Sequence, residues 1–471
     1  MSKKLLTGSW ASLLAASFAV AVPLGAGATI LGETGNAFHL CARPNVISTS
    51  DGDSMYMWLL ARGPNAQPQY PGPTILVTQG DDVTITLTSI LPVPTSLVFP
   101  GLTVSESGGS ASSSPLVSRE TPVTENDCSR SNAKTVTYRF TASAPGTYLY
   151  HSGSRPDLQV EMGLAGTIIV RPSGCSPTSC NRAYNDASTS YDREYLLFLT
   201  DADPLIHQQV AFVTGTLAQR QAAIAAIDLT QRSAVDWFIN GRNFPDTVTD
   251  ANVAWLPSQP YNAFPRMHPG DRVLMRLVSA GADPHPFHTH GQNHLVIARD
   301  AKVLSTQVLT SSAPTANLGV SDYTTTGVPG ETVDAIWGPW TGEKLNWDIY
   351  GTQAINPHTC TPNSTGFDPT TREYCADHDS LFHPRPIPVQ LPPDSYVQYG
   401  PFYGGTPYLG IPGSMPPLNP DGTVHVDKNP LAGLSFMWHS HSERELTTND
   451  IFIGGMATMA QVLPMSIPID N

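Results

Sequence analysis

Charge is scarce in this chain. Only 14 % of its 471 residues are Asp, Glu, Lys or Arg, with 25 basic against 39 acidic side chains. Coiled coils and long helical arrays need far more Glu, Lys, Leu and Ala, so both are excluded. The formal net charge of −14 argues against nucleic acid or an anionic membrane surface as partner. Cysteine is sparse: six residues, at 41, 128, 175, 180, 360 and 375, none in CxxC spacing, which speaks against a Cys-rich metal site. Beyond the N-terminus, no run approaches the ~18 apolar residues of a membrane span. No nucleophile elbow, phosphate loop or dinucleotide fingerprint stands out.

What is present is apolar and turn-rich. Hydrophobic residues make up 40 % of the chain, enough to build cores, and 43 Pro and 38 Gly punctuate it. Many short strands joined by Gly/Pro turns follow, hence an all-β fold. Lys3 and Lys4, an apolar stretch from Leu5 to about Leu24, and Ala26-Gly27-Ala28 form a secretory signal layout. Residues 1–28 are therefore expected to be a signal peptide, and the mature protein to be secreted or periplasmic. Six cysteines in an exported chain suggest disulfides, with fifteen connectivities open. Closeness in sequence favours Cys175–Cys180 and Cys360–Cys375, which leaves Cys41 with Cys128.

The sequence contains a repeat. Gly80-Asp81-Asp82-Val83-Thr84-Ile85-Thr86-Leu87 alternates apolar and polar residues as a half-buried strand does, and Gly270-Asp271-Arg272-Val273-Leu274-Met275-Arg276-Leu277 has the same frame. Eighteen residues after Gly80 comes Val98-Phe99-Pro100-Gly101; eighteen after Gly270 comes His288-Thr289-His290-Gly291. Later, Tyr150-His151-Ser152-Gly153 precedes Gly163-Leu164-Ala165-Gly166, and Trp438-His439-Ser440-His441 precedes Gly454-Gly455-Met456. Each copy should thus hold two equivalent hairpins. The expected layout is a first domain at 29–172, a linker at 173–190 and a second domain at 191–471. A Pro/Gly-rich, disulfide-pinned insertion at about 347–430 accounts for the greater spacing in the second copy. Leu217 to Ile227 reads as a short helix, and Trp237-Phe238-Ile239-Asn240-Gly241 as a strand ending in a turn.

Histidine carries the chemistry. Of the fourteen, His285, His288, His290 and His294 fall within ten residues, His439 and His441 follow, and His151 sits at the matching place in the first copy. Both rings of an H-x-H on a strand project to one face, so two such strands can converge four imidazoles on a point. Imidazole is a good ligand for copper, zinc, iron and nickel. His358, His378, His383 and His425, in or beside the insertion, read as surface residues, and Met456 and Met459 as core.

His285-Pro286-Phe287-His288-Thr289-His290-Gly291 resembles the H-P-x-H-x-H-G motif of multicopper oxidases, and Trp438-His439-Ser440-His441 with Gly454-Gly455-Met456 their H-C-H…G-M motif. Tyr150-His151-Ser152-Gly153 resembles Y-H-S-H, and Ser96 to Leu102 occupies the place of S-x-H-W-H-G-L. The resemblance covers most of the mature chain outside the insertion. It implies tandem cupredoxin-like Greek-key β-sandwiches with copper where two domains meet.

The departures are specific. Ser440 stands for the type 1 copper cysteine and Glu445 for its second histidine, so only His285 of that site is kept and a blue copper is not expected. Val98 and Pro100 replace both histidines of the first motif, and Gly153 one of the second. The resemblance leaves His151, His288, His290, His439 and His441 of the trinuclear ligands. By position, His151 and His441 would serve one type 3 copper, His290 and His439 the other, and His288 the type 2 site. Asp157 and Glu161 are nearby carboxylates. Three readings remain: a copper-dependent oxidoreductase using a His-only site with dioxygen and a small reductant, a non-catalytic copper-binding or structural protein, and a sandwich without metal. Two-domain relatives can build such a site between subunits as trimers, so a homo-oligomer stays open.

Overall fold

The computed structural model describes residues 30–123, 128, 134–268, 270–339, 361–364, 367–368, 373–374, 401–405, 433–463 and 469. The expected signal peptide, the Cys360–Cys375 pair and the histidines of the insertion lie outside these residues.

The fold is all-β: two cupredoxin-like sandwiches in tandem. In the first, a six-stranded sheet contains Ser54–Arg62, Ala37–Ser48, Asp82–Ser89 and Val136–Thr141 side by side. It faces a five-stranded sheet in which Leu97–Val98, Gly146–Ser152, Ala165–Arg171 and Ile75–Thr78 are neighbours. The second sandwich repeats this order. Asp236–Ile239, Arg193–Ala202, Val273–Ser279 and Thr332–Trp337 run side by side in one sheet, and His285–Thr289, Gly433–Ser440, Ala457–Val462 and Arg266–Met267 in the other. Parallel and antiparallel pairings match as well. Ala165–Arg171 runs parallel to Ile75–Thr78, and Ala457–Val462 parallel to Arg266–Met267.

One expectation is corrected. The segments after Gly80 and Gly270 are not hairpins: Asp82–Ser89 and Leu97–Val98 lie in opposite sheets, as do Val273–Ser279 and His285–Thr289. The Pro-rich stretch 90–96 and its counterpart 280–284 carry the chain across the sandwich. Gly80 and Gly270 sit at φ +98° and +88°, which L side chains rarely adopt, and turn the chain into the equivalent strands.

Asp82–Ser89 buries alternate residues, as its pattern predicts. Val273–Ser279 is buried throughout, Arg276 included. Its second face is covered by the first sandwich: Leu149 and Ala165 pack on Leu196, Phe198, Val278 and Ala280. A polar network crosses this seam. Glu194 accepts from Arg171 at 2.6 Å and from Arg276 Nε at 2.9 Å. Arg276 Nη1 also donates to Thr147 Oγ1 at 2.9 Å, and Thr147 and Tyr184 donate to Asp334 at 2.7 and 2.6 Å. Burial pushes the Glu194 carboxyl upward, but the two guanidinium groups hold it below the ordinary range.

Two of the expected disulfides are present, Cys41–Cys128 and Cys175–Cys180. Residues 173–190 are a packed connection rather than a loose one, with Ala183 and Tyr184 buried beside Leu274 and Ile297. The expected helix spans Leu217–Ala225, with a capping box between Thr216 and Gln219. A second helix, Pro204–Ala211, is announced by Asp203, whose side chain accepts from Leu205 N, followed by Pro204 in the first turn. Ile206, Val210 and Ile224 from these helices join the core of the first sandwich. Met456 is fully buried core, as expected.

Candidate metal centre

The centre is built by strand register. His285–Thr289 pairs antiparallel with Gly433–Ser440, which sets His288 directly opposite His439. The period of two brings His290 and His441 to the same region. His288, His290 and His439 each offer a ring nitrogen, and these atoms lie within 4.8 Å of one another. His441 completes the ring cluster, its centroid 4.8 Å from that of His288 and 5.7 Å from that of His439. Its side chain is 52 % exposed, so the cluster has an open side.

Second contacts fix which nitrogen faces inward. His439 Nδ1 lies 2.6 Å from the Ser440 carbonyl, which can only accept, so the lone pair sits on Nε2. That Nε2 is 3.2 Å from His290 Nε2. His288 Nδ1 lies 2.7 Å from the Thr324 hydroxyl. Burial, and then the neighbouring imidazoles, hold His288 down to about 4; burial also lowers His439. At neutral pH both are uncharged, the state that ligates metal.

His294 is not part of the cluster. Its Nδ1 meets Thr289 Oγ1 at 2.9 Å and its Nε2 meets Thr325 Oγ1 at 2.7 Å, so both ring nitrogens are engaged. It braces the strand that carries His288 and His290 against the strand Thr324–Gly327. Sequence reasoning missed Thr324, Thr325 and Tyr323. They lie more than thirty residues beyond the motif, and only sheet pairing brings them to it.

His151 and His285 stand elsewhere. His151 occupies the register position of His439, paired with Val98 as His439 is with His288. Its Nδ1 lies 2.9 Å from the Ser152 carbonyl. It lines a cavity of about 290 Å³ with Asp157, Glu161, Asp201 and Gly281, away from the cluster. Glu161 is already engaged there, accepting from Arg232 at 2.7 Å and from Asp203 N at 2.7 Å. His285 is fully buried, with Nδ1 2.9 Å from Glu445 Oε2. The side chain at the type 1 histidine position thus holds the retained histidine as a carboxylate partner. The four described cysteines are all in disulfides, so among the described residues no thiolate is on hand for a blue copper.

The first-copy position has been packed shut. A Cβ on Gly153 would lie 2.6 Å from Val117 Cγ1 and 2.8 Å from Val98 Cγ1, so no histidine fits where the second copy carries His441.

The architecture therefore defines a two-sandwich cupredoxin-like protein with, among the described residues, one histidine cluster in its second sandwich. Residues 65–174 match the family model described as multicopper oxidase. The match falls almost wholly within the first sandwich, the one that carries His151. Over 102 residues the chain is 34 % identical to an L-ascorbate oxidase of Brassica rapa subsp. pekinensis, covering 22 % of this chain and 16 % of that protein. Over 138 residues it is 30 % identical to an L-ascorbate oxidase of Cucumis sativus, covering 28 % and 19 %. The chain thus spans less than a fifth of the length of these curated relatives. Among solved structures, a blue copper oxidase from Nitrosomonas europaea aligns at 17 % identity and TM-score 0.48, covering 91 % of this chain and 86 % of that one.

Copper is the cofactor of this family, and the donor set fits it. Neutral imidazoles suit copper. The 3.2 Å between the Nε2 atoms of His290 and His439 is close to the edge of a tetrahedron whose corners lie about 2.0 Å from its centre. The type 1 position, with Ser440, Glu445 and His285, does not fit a blue copper.

Proposed function

We propose that this protein is an exported copper-binding oxidoreductase that works from a histidine-only centre, without a type 1 copper. His288, His290, His439 and His441 hold the metal. The observation that carries this reading is the convergence of three imidazole nitrogens within 4.8 Å beside the half-exposed His441. Bound copper supplies one-electron chemistry between Cu(I) and Cu(II). The Ser440 carbonyl and the Thr324 hydroxyl orient His439 and His288 and keep their donor atoms inward, as outer partners of metal ligands do. The open side admits a small reductant and dioxygen.

His151 reaches this centre only if another copy of the chain supplies it. A homotrimer is the assembly that would do so, and light scattering on the purified protein tests it; a monomer removes His151 from the centre. The second reading, a copper-binding protein that turns nothing over, is favoured by one observation: the Glu445–His285 pair stands where the electron-receiving copper would be.

The test is reconstitution of the exported form with Cu(II), followed by metal analysis, absorption and paramagnetic resonance. Copper retained after dialysis, without an intense blue band, is expected. His439→Ala combined with His441→Ala should abolish it. Loss of all metal from the wild type overturns the reading, and an intense blue band overturns the absence of type 1 copper. Oxygen uptake with a reductant separates the oxidoreductase from the binding protein.

A further inference from the structure

An oxidase that lacks its type 1 copper needs another route for electrons, and the structure holds one aromatic residue in the right place. Tyr323 lies edge-on to His288, with ring centroids 5.6 Å apart and planes at 89°. It is 57 % exposed. Its backbone carbonyl accepts from Thr289 N at 2.9 Å, which ties it to the residue between His288 and His290. Among the described residues no hydrogen bond engages its hydroxyl. The other aromatics at the cluster face inward. Trp438 donates its indole N–H to the His290 carbonyl at 3.4 Å and packs on Trp337, and both are fully buried. Tyr323 is therefore the described aromatic side chain that touches a cluster imidazole and also meets solvent.

We infer that Tyr323 is the contact through which an aromatic one-electron donor delivers electrons to the metal held by His288. This rests on the proposed copper centre. A phenolic donor stacks on the exposed ring, as aromatic rings pair in offset or edge-to-face contact. Such a donor would pass one electron through the Tyr323 and His288 rings to the copper that His288 would hold, which would supply the Cu(II)/Cu(I) couple. The oxidised donor releases its phenolic proton to water, and Tyr323 itself is unchanged.

The experiment loads the full-length protein with Cu(II) and mixes it anaerobically with hydroquinone. A single reduction is followed by loss of the Cu(II) absorption and paramagnetic signal. Tyr323→Ala is expected to slow this step by about tenfold or more, the scale on which outer contacts to metal ligands act. Tyr323→Phe, which keeps the ring, should stay near the wild-type rate. Copper stoichiometry and the Cu(II) spectrum should be the same in all three. A second readout needs no electron transfer. In fluorotyrosine-labelled protein, with the Tyr323 line assigned by Tyr323→Phe, Cu(II) should broaden that fluorine resonance and Zn(II) should not. Wild-type reduction rates in Tyr323→Ala with copper bound, or a fluorine line indifferent to Cu(II), overturn this inference and leave the copper centre standing. A wild-type protein that binds no copper overturns both.

Discussion

The two sandwiches carry the same pair of strands to opposite ends. In the second, His288 faces His439 across the ladder; in the first, Val98 faces His151 at the same register. The Thr324 hydroxyl and the Ser440 carbonyl aim the nitrogens of this second pair, and His290 and His441 stand around it. Beside the first, Gly153 is packed against Val117 and Val98 too closely for a larger side chain. The sheet order is unchanged between them. A cupredoxin-like sandwich thus needs no metal to hold its strands in register: the ladder and the core do that, and the metal depends on which side chains project from it.

Removing Glu194 tests whether the two sandwiches hold together independently of the metal. Glu194→Ala leaves Arg171 and Arg276 buried at the seam without their shared carboxylate. We expect a loss of about 3–5 kcal/mol, as for a broken buried ion pair, read as a lower midpoint in chemical unfolding. An unchanged midpoint would show that the seam is held by apolar contact alone.

Acid should separate the two copies. Burial holds His294 down to about 4, against an ordinary value of 6.5. Because the folded value is depressed, the unfolded chain takes up more protons between about pH 6.5 and 4, and stability falls as pH falls through that window. The loss from His294 amounts to about 3 kcal/mol at most. Hydrogen exchange across this range should open the strands around His285–Thr289 before those around Leu97–Val98. His294→Gln, which removes the titration, should flatten the profile.

Gly153→His, which restores the family residue, gives the smallest of these effects. Its Cβ already collides with Val98 and Val117, and overpacking of this kind costs about 1–3 kcal/mol. Copper per chain should not rise. Gain of a copper ion would show that the first face can still open, and would weaken the contrast drawn above.

The repeat was legible because equivalent motifs follow the two Gly-Asp frames at the same distance of eighteen residues, and the all-β class was legible in the short apolar runs between Gly/Pro turns. The histidine pairs were legible because an H-x-H on a strand has one geometric outcome. That a serine and a glutamate stand where a blue copper would need a cysteine and a histidine was legible in Ser440 and Glu445. The crossing of strands between sheets was not legible, because a Pro-rich connection of 90–96 or 280–284 has no period that distinguishes a hairpin from an arch. Nor was the burial of Arg276, whose alternating pattern looks half-exposed until the first sandwich covers it.

The sequence by itself determined the donor types and the local frame that presents them, since both depend on residue identity and on the two-residue period of a strand. Tertiary structure alone decided which histidines meet. His151 and His439 have the same local setting, and only the partners brought across the ladder, Val98 for one and His288 for the other, leave one apart and make the other part of a histidine cluster. It also placed Thr324, Thr325 and Tyr323 beside ligands more than thirty residues away. Hydrogen bonding between strands is indifferent to sequence distance, so a centre assembled across a sheet is complete only once the sheet has formed.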